Sequence, residues 1–599
     1  RCCEAHCIGS QVGGGVLAGV DAGLDDGYVH FGGFVPLSQP DEGVLFFTDG
    51  DLQLYNEGSD ALGMNAGLGV RSINPQGNAI FGANLYFDRR DLGLAEFNQI
   101  GIGLESLGER IDVHINLALP TGPTTRDLHR GVGFMGSGVG RAYDRFAAFR
   151  TLDCEAGALI YDRHDTQLRA SLGAYSLFHD LVDDAAGVRG RLEARFADQV
   201  FLAGFVENDG EFGATGGVTL DIRYGRGATT ANHSSRSLLA RLGDPVRRRR
   251  HVMVAERQYD EYFTMGTSQL TVQHVTDLNG PAPEGIGALS VSSLEQASVS
   301  AADIVYIHGG EYEGRSIVVA EEGQQLLAGS MDHTIETDQG TIFIPASGEV
   351  VLRNAPLDAI TLAADNVAVI GFTIEDPGQD GISAAAAPAG ANIVLAHNTI
   401  SGAGRHGVYF ANEAQGEISH NHVTGSHEHG IALTGFHGDV RDNVVTDSRS
   451  LGFTVVGNVY GDITRNDFGS NRRGGVVIDG DLTGDLVNNA VSESLLGAGI
   501  LVSGSVGGDV AENTVTDNAG YDGDGVAIGG SVGGDFSDNI VQSNEGYGAA
   551  IGGDVNGDVR GNHVDANHAG LRIGGAIGGG VVDSELVGAD RHGCCGYGS

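Results

Sequence analysis

Asp380, Arg405, His406, Glu428 and His429 are the residues whose types and spacing could do chemistry. Asp380, His406 and His429 each precede a glycine, namely Gly381, Gly407 and Gly430. Those glycines recur at near-constant spacing, so the three side chains should stack on successive turns of a repeat. Gln379, Arg405 and Glu428 sit one position earlier, and His427 adds to the group. An acid, a cation and two imidazoles on one face could move a proton to and from a sugar. Two histidines with a carboxylate could also hold a metal. The competing reading is that a His-Gly-apolar turn repeats because its scaffold repeats. That reading outweighs the catalytic one, because no nucleophile elbow, phosphate loop or nucleotide motif accompanies the group.

The scaffold is legible in a column of asparagines: Asn398, Asn421, Asn443, Asn466, Asn489, Asn513, Asn539 and Asn562, at steps of 23, 22, 23, 23, 24, 26 and 23. Two residues after each lies an apolar residue, such as Val423, Val445 and Phe468. Three residues before each lies another, such as Ile418, Val440 and Ile463. Short strands, a period in the twenties and a single Asn column predict a parallel β-helix with an asparagine ladder at one turn. The register puts Val445 inward and Ser448 on an outward turn. Gly-Asp dyads precede six of the asparagines, from Gly438-Asp439 to Gly557-Asp558. Stacked aspartates repel, so calcium is one reading of these dyads and of Asp522 and Asp524. A solvated turn is the preferred one, with no resident cofactor.

The first part of the chain has another period. In Ile111–Leu119, Ile111, Val113, Ile115, Leu117 and Leu119 alternate with Asp112, His114 and Asn116. Val218–Tyr224 does the same, with Thr219, Asp221 and Arg223 on the polar face. A strand sends alternate side chains to opposite faces, and runs of about ten residues suit a tilted bilayer crossing. Twelve such strands are expected, near 16–25, 28–37, 43–55, 61–72, 79–88, 96–107, 111–119, 152–162, 168–178, 186–196, 199–207 and 213–224. The gap from Pro120 to Thr151 reads as an exposed loop. The expected architecture is all-β: a transmembrane antiparallel barrel over 14–225, then a right-handed parallel β-helix over 286–590.

A linker over 226–285 carries Arg247-Arg248-Arg249-Arg250 after Asp244-Pro245. An even-stranded barrel ends on the side where it began, so this linker either leaves the second domain there or turns back through the pore. Cysteines cluster at the ends, with Cys2, Cys3 and Cys7 in 1–13 and Cys594 and Cys595 in 591–599. Adjacent cysteines suit zinc poorly, which favours a disulfide or a tail over a Cys2, Cys3, His6, Cys7 site. Net charge is −43, from 78 acidic and 35 basic residues, which argues against nucleic-acid binding. Glycine is abundant at 98 residues, consistent with turn-dense β structure. No run of apolar residues is long enough for a membrane helix. No charged-then-apolar leader follows Arg1, and export would then imply a chain processed or truncated at its start.

Gly69-Val70-Arg71-Ser72-Ile73-Asn74-Pro75, Gly82-Ala83-Asn84-Leu85-Tyr86-Phe87-Asp88, Phe97–Leu119 and Asp244-Pro245-Val246-Arg247-Arg248 together resemble the barrel and link of inverse autotransporters, the intimin and invasin type. The resemblance implies a twelve-stranded outer-membrane barrel that displays its C-terminal passenger on the bacterial cell surface. The family's immunoglobulin-like repeats are replaced here by β-helix repeats. The implied partners are outer-membrane lipid, the barrel assembly machinery, and an extracellular glycan or a host or neighbouring cell. The reading is an adhesin rather than an enzyme. A surface polysaccharide lyase or hydrolase acting through Asp380, Arg405, His406, Glu428 and His429 is the alternative.

Overall fold

A computed structural model describes the chain apart from residues 1–7, 25, 39–42, 57–60, 164–165, 197–198, 226–237, 277–290, 295–297, 299, 521–522 and 587–599. The terminal cysteine clusters, Asp522 and the opening of the linker lie outside the described residues. The chain divides into two compact units, Arg1–Gly131 with Ala142–Asp260, and Val132–Arg141 with Glu261–Ser599.

The first unit is a closed antiparallel barrel of twelve strands. They are β1 (Gln11–Val20), β2 (Tyr28–Pro36), β3 (Val44–Tyr55), β4 (Leu62–Ile73), β5 (Ala79–Asp91), β6 (Glu96–Gly108), β7 (Ile111–Thr121), then β10 (Arg150–Arg163), β11 (Thr166–Phe178), β12 (Ala185–Phe196), β13 (Val200–Asp209) and β14 (Gly213–Gly225). β1 pairs with β14 to close the ring, and β7 pairs directly with β10. Alternation sets the two faces. In β5, Phe81, Leu85 and Phe87 are exposed outward, while Asp88 and Arg90 are buried inward. An apolar exterior with a polar lumen suits lipid outside and charge inside. Among the described residues no helix is long and apolar enough to cross a membrane.

One expectation fails. Pro120–Thr151 is largely strand, not loop: β8 (Thr125–Met135) and β9 (Gly138–Ala148) are inserted between β7 and β10. They form a three-stranded sheet in which β9 pairs with β15 (Val254–Tyr262), supplied by the supposed linker. Glycine-rich strands with mixed faces carry no clean period of two, so alternation could not report them.

The second unit is a parallel β-solenoid. Its longest sheet begins at Val272–Val275, pairs with Ile304–Ile307 and runs coil by coil to Val581–Val582. Two further parallel faces run through Val444–Thr446 and Ala490–Ser492, and through Ile317–Val319 to Ala569–Ile573. Val445, Phe468, Val491 and Val515 line a continuous apolar core with no exposure. The asparagine column is a ladder. Asn421 donates from its backbone N and from Nδ2 to Asn443 Oδ1 at 2.9 and 3.0 Å, and Asn443 does the same to Asn466 at 2.9 and 3.0 Å. The residue before each rung is left-handed: His420 has φ 56°, Asp442 56° and Arg465 55°. That turn aims the amide into the stack, and buried amides satisfied on both sides stiffen it.

A second ladder was not foreseen. Ser448 donates its backbone N–H to Asn471 Oδ1 at 3.0 Å, and Asn518, Asn544 and Asn567 continue the column. Ser448 is therefore buried, at 2% exposure, and is not the outward turn that the register suggested. Mixed Ser and Asn at this corner blurred the column.

Replacing Val445 with Asp places an unpaired charge between coils and should cost on the order of several kcal/mol. Nearest-neighbour stacking should spread the damage to adjacent coils. Asp447→Asn, at an exposed left-handed position that Asn tolerates, should be near neutral. Thermal unfolding of both variants measures the contrast.

Candidate functional site

The lumen of the barrel is occupied by the chain itself. After a short helix at Leu238–Arg241, residues 242–253 run between the strands from the Gln11 end to the Arg90 end. At entry, Gln11 donates to Gly243 O at 3.0 Å, and Arg241 pairs with Asp112 at 2.8 Å. Arg71 is fully buried, chelates Glu105 and donates to Leu242 O and Asp244 O at 2.7 and 2.5 Å. At exit, Arg90 donates to Val252 O at 2.9 Å, and His251 meets Ala22 O at 3.0 Å.

The four consecutive arginines lie between these points and face different strands. Arg247 pairs with Glu193 on β12 at 2.7 Å. Arg248 forks onto Asp88 on β5 at 2.7 and 2.9 Å and covers the Tyr86 ring at 3.7 Å. Arg249 takes Asp21 and Glu207, each at 2.6 Å. Arg250 reaches Asp221 on β14 at 3.2 Å and His30 on β2. An extended chain points successive side chains apart, so a run of arginines is anchored around the whole circumference. Sequence reasoning singled out the quartet but not its partners. Inward polar residues announce a lumen without saying what they bind.

The five candidate residues of the solenoid do come together. Asp380 is completely buried. Arg405 forks onto it, with Nε at 2.8 Å from Oδ1, and Asp380 Oδ1 also accepts the His406 backbone N–H at 3.0 Å. His406 Nε2 lies 3.2 Å from Glu428. The His406 and His429 rings stack at 5.3 Å and 14°, and His406 also stacks on Tyr409 at 5.0 Å. His406 Nδ1 accepts the His429 N–H at 3.3 Å, and His429 Nδ1 accepts the Leu451 N–H at 3.3 Å. The Gln379 carbonyl accepts the Arg405 N–H at 2.9 Å, whereas the His427 backbone bonds to Ala403 O at 2.9 Å in the adjoining column.

Chemically, this is a ladder first. Asp380 is held by Arg405 and by the His406 N–H. Each imidazole spends Nδ1 on the next coil's backbone. Burial lowers the affinity of His406 for a proton, against Asp380 and Glu428, which raise it. Burial also lowers that of His429, and the neighbouring His406 adds to the effect. The Gly-Asp column works in the same way: Asp439, Asp462, Asp485 and Asp509 each accept the N–H of the next aspartate through Oδ1 at 2.7–3.0 Å. Asp524 Oδ1 accepts the Tyr547 N–H at 2.7 Å. No group of three or more His, Cys, Asp or Glu poised for a metal occurs among the described residues.

Residues 19–122 match the family model of the inverse autotransporter β-domain, and residues 353–445 and 407–569 match that of the right-handed β-helix region. The barrel is thus an inverse autotransporter β-domain and the solenoid a right-handed β-helix. The protein resides in the outer membrane and carries the β-helix as its passenger at the cell surface. Solved structures to which part of the chain is similar include an outer membrane channel from Pseudomonas putida F1, at 14% identity and TM-score 0.25, covering 37% of this chain and 95% of that one. The β domain of the Bordetella autotransporter Brka is 12% identical with TM-score 0.21, covering 37% of this chain and 99% of that one. No curated protein matches the chain.

Arg248→Met would leave buried Asp88 without its forked partner and should cost about 3–5 kcal/mol. The temperature at which the barrel loses its fast migration on an unboiled gel should fall. Replacing all four of Arg247–Arg250 with Ser should turn a closed barrel into one that conducts ions in a planar bilayer. A second outcome follows from the histidines. Their folded pKa values lie below the unfolded value of about 6.5. The stability they contribute is therefore present above that pH and lost as pH falls below it. Hydrogen exchange over residues 406–429 should accelerate from pH 7 to pH 5, and less so in a His406→Gln/His429→Gln variant.

Proposed function

We propose that the β-helix is an adhesive rod that binds extended glycans or the surface of a host or neighbouring cell. The observation that carries this reading is the state of the polar group that joins Asp380 to His429 on the solenoid. Its acid, Asp380, is buried and saturated by Arg405 and a backbone N–H. A catalytic centre needs an acid or base within about 3 Å of the scissile bond and free to exchange a proton. The remaining polar columns are spread along the coils, which suits many weak contacts acting together. A barrel filled by its own chain is suited to display rather than to transport. Insertion by the barrel assembly machinery belongs to the same reading. The enzyme alternative keeps one supporting feature, the His406–Glu428 pair at 3.2 Å, and would act on a polysaccharide.

Cells displaying a His406→Ala/His429→Ala variant should adhere to glycan-coated surfaces as the parent does, within about twofold. Deleting residues 444–489, which joins one Asn rung to the equivalent position two coils on, should reduce adhesion by shortening the contact. Abolition of a measurable polysaccharide cleavage by the double histidine variant would replace the adhesive reading with the enzymatic one.

A further inference from the structure

We infer that the corner of the β-helix carrying Arg449, Arg472 and Arg473 binds a linear acidic polysaccharide laid along the rod axis. The inference rests on the adhesive reading and names its ligand class.

Five arginines of the solenoid are each held by a carboxylate. Arg353 pairs with Glu375 at 2.7 Å, Arg465 with Asp442 at 2.7 Å and Arg560 with Asp535 at 3.4 Å, and Arg405 and Arg441 hold Asp380 and Glu417. Arg449, Arg472 and Arg473 are exposed and make no ion pair with the described residues. In a chain of net charge −43, what sets these three apart is that they gather at one corner, whereas exposed Arg572 stands on another coil over the Tyr547 ring.

Their placement is periodic. The Arg449 N–H bonds to Ser426 O and the Arg472 N–H to Ser448 O, each at 2.9 Å, so the two occupy equivalent sites on consecutive coils. Arg473 follows in the adjoining column, bonded to Ser450 O at 2.9 Å. His427 holds the Arg449 position one coil earlier. Coils repeat at about 4.8 Å, so the cations form a row parallel to the axis. A row of guanidinium forks fits a polymer of repeated carboxylates better than one small anion. On the next coil Leu495 and Leu496 are 60% and 55% exposed, an apolar surface for the C–H faces of sugar rings. The acidic neighbours include Glu428, which lies 3.2 Å from His406, Asp447, and Glu493, which accepts from Ser470 beside Arg472. Duplex DNA fits less well, because its dense phosphates would meet the surrounding acidic surface.

The test uses the full chain in detergent, with immobilised polygalacturonate, neutral dextran and duplex DNA as probes. The parent should bind polygalacturonate in preference to dextran, and more weakly as salt rises. Arg449→Gln/Arg472→Gln/Arg473→Gln should weaken that binding by about tenfold or more and flatten its salt dependence. Arg353→Gln, at a paired arginine, should not. Undiminished polygalacturonate binding by the triple variant would overturn the assignment of the corner. Equal binding of dextran by the parent would overturn the acidic ligand while leaving an adhesive rod. Binding of no polysaccharide would overturn both readings. DNA bound more tightly than polygalacturonate, and lost in the triple variant, would overturn the polysaccharide in favour of nucleic acid.

Discussion

The backbone N–H and C=O groups of a strand need partners, and the two units meet that demand in different ways. In lipid no water can satisfy a free strand edge, so the strands close into a ring and β1 pairs with β14. In the solenoid each coil pairs with the coil before and after it, and the edge is passed along the rod to its ends. Closure then creates the lumen. A lumen lined by Asp112, Asp88, Glu207 and Asp221 calls for cations, which the chain supplies from 241–250. The route of the linker is therefore a consequence of how the barrel wall is charged.

Charge is managed differently in the two places. All 35 basic residues are arginine and none is lysine. In the lumen this matters because a planar fork can bind a carboxylate and a carbonyl at once, as Arg71 does with Glu105 and Asp244 O. On the solenoid the acidic excess is stacked rather than paired. Aspartates from Asp439 to Asp558 each spend one oxygen on a backbone N–H of the next coil, which offsets part of their mutual repulsion. The rest is left to solvent ions.

Legibility in the sequence followed periodicity. Alternation over Ile111–Leu119 gave the barrel wall and its inward Asp112 and His114, and the spacing from Asn398 to Asn562 gave the rod and its ladder. Both signals arise because burial constrains every second residue or every coil. Features without a period were invisible. β8 and β9 mix glycine, arginine and aromatics on both faces, and the second ladder mixes serine with asparagine, so Ser448 passed for a surface residue. The candidate group at Asp380 was located correctly in space, but its chemistry was not legible. Whether an aspartate is a base or one half of an ion pair depends on the rotamer of Arg405, which spacing does not encode.

A quasi-one-dimensional rod is only as secure as its ends, and in the described residues the two ends differ. Near the first coils Phe134 packs edge-on against His274 and Tyr306 at 4.7 Å, and His274 meets His308 at 3.0 Å, so aromatic rings seal the apolar core. At the far end Val581 and Val582 are 57% and 49% exposed. Stability should be highest across the unbroken ladder from Asn398 to Asn562, where each coil is held by both the apolar core and the amide stack. Arg405, His406, Glu428, His429 and the free arginines sit inside the ladder, and Asp380 lies on the coil just before Asn398. Side chains that must hold a fixed register along a rod belong on the coils that open least.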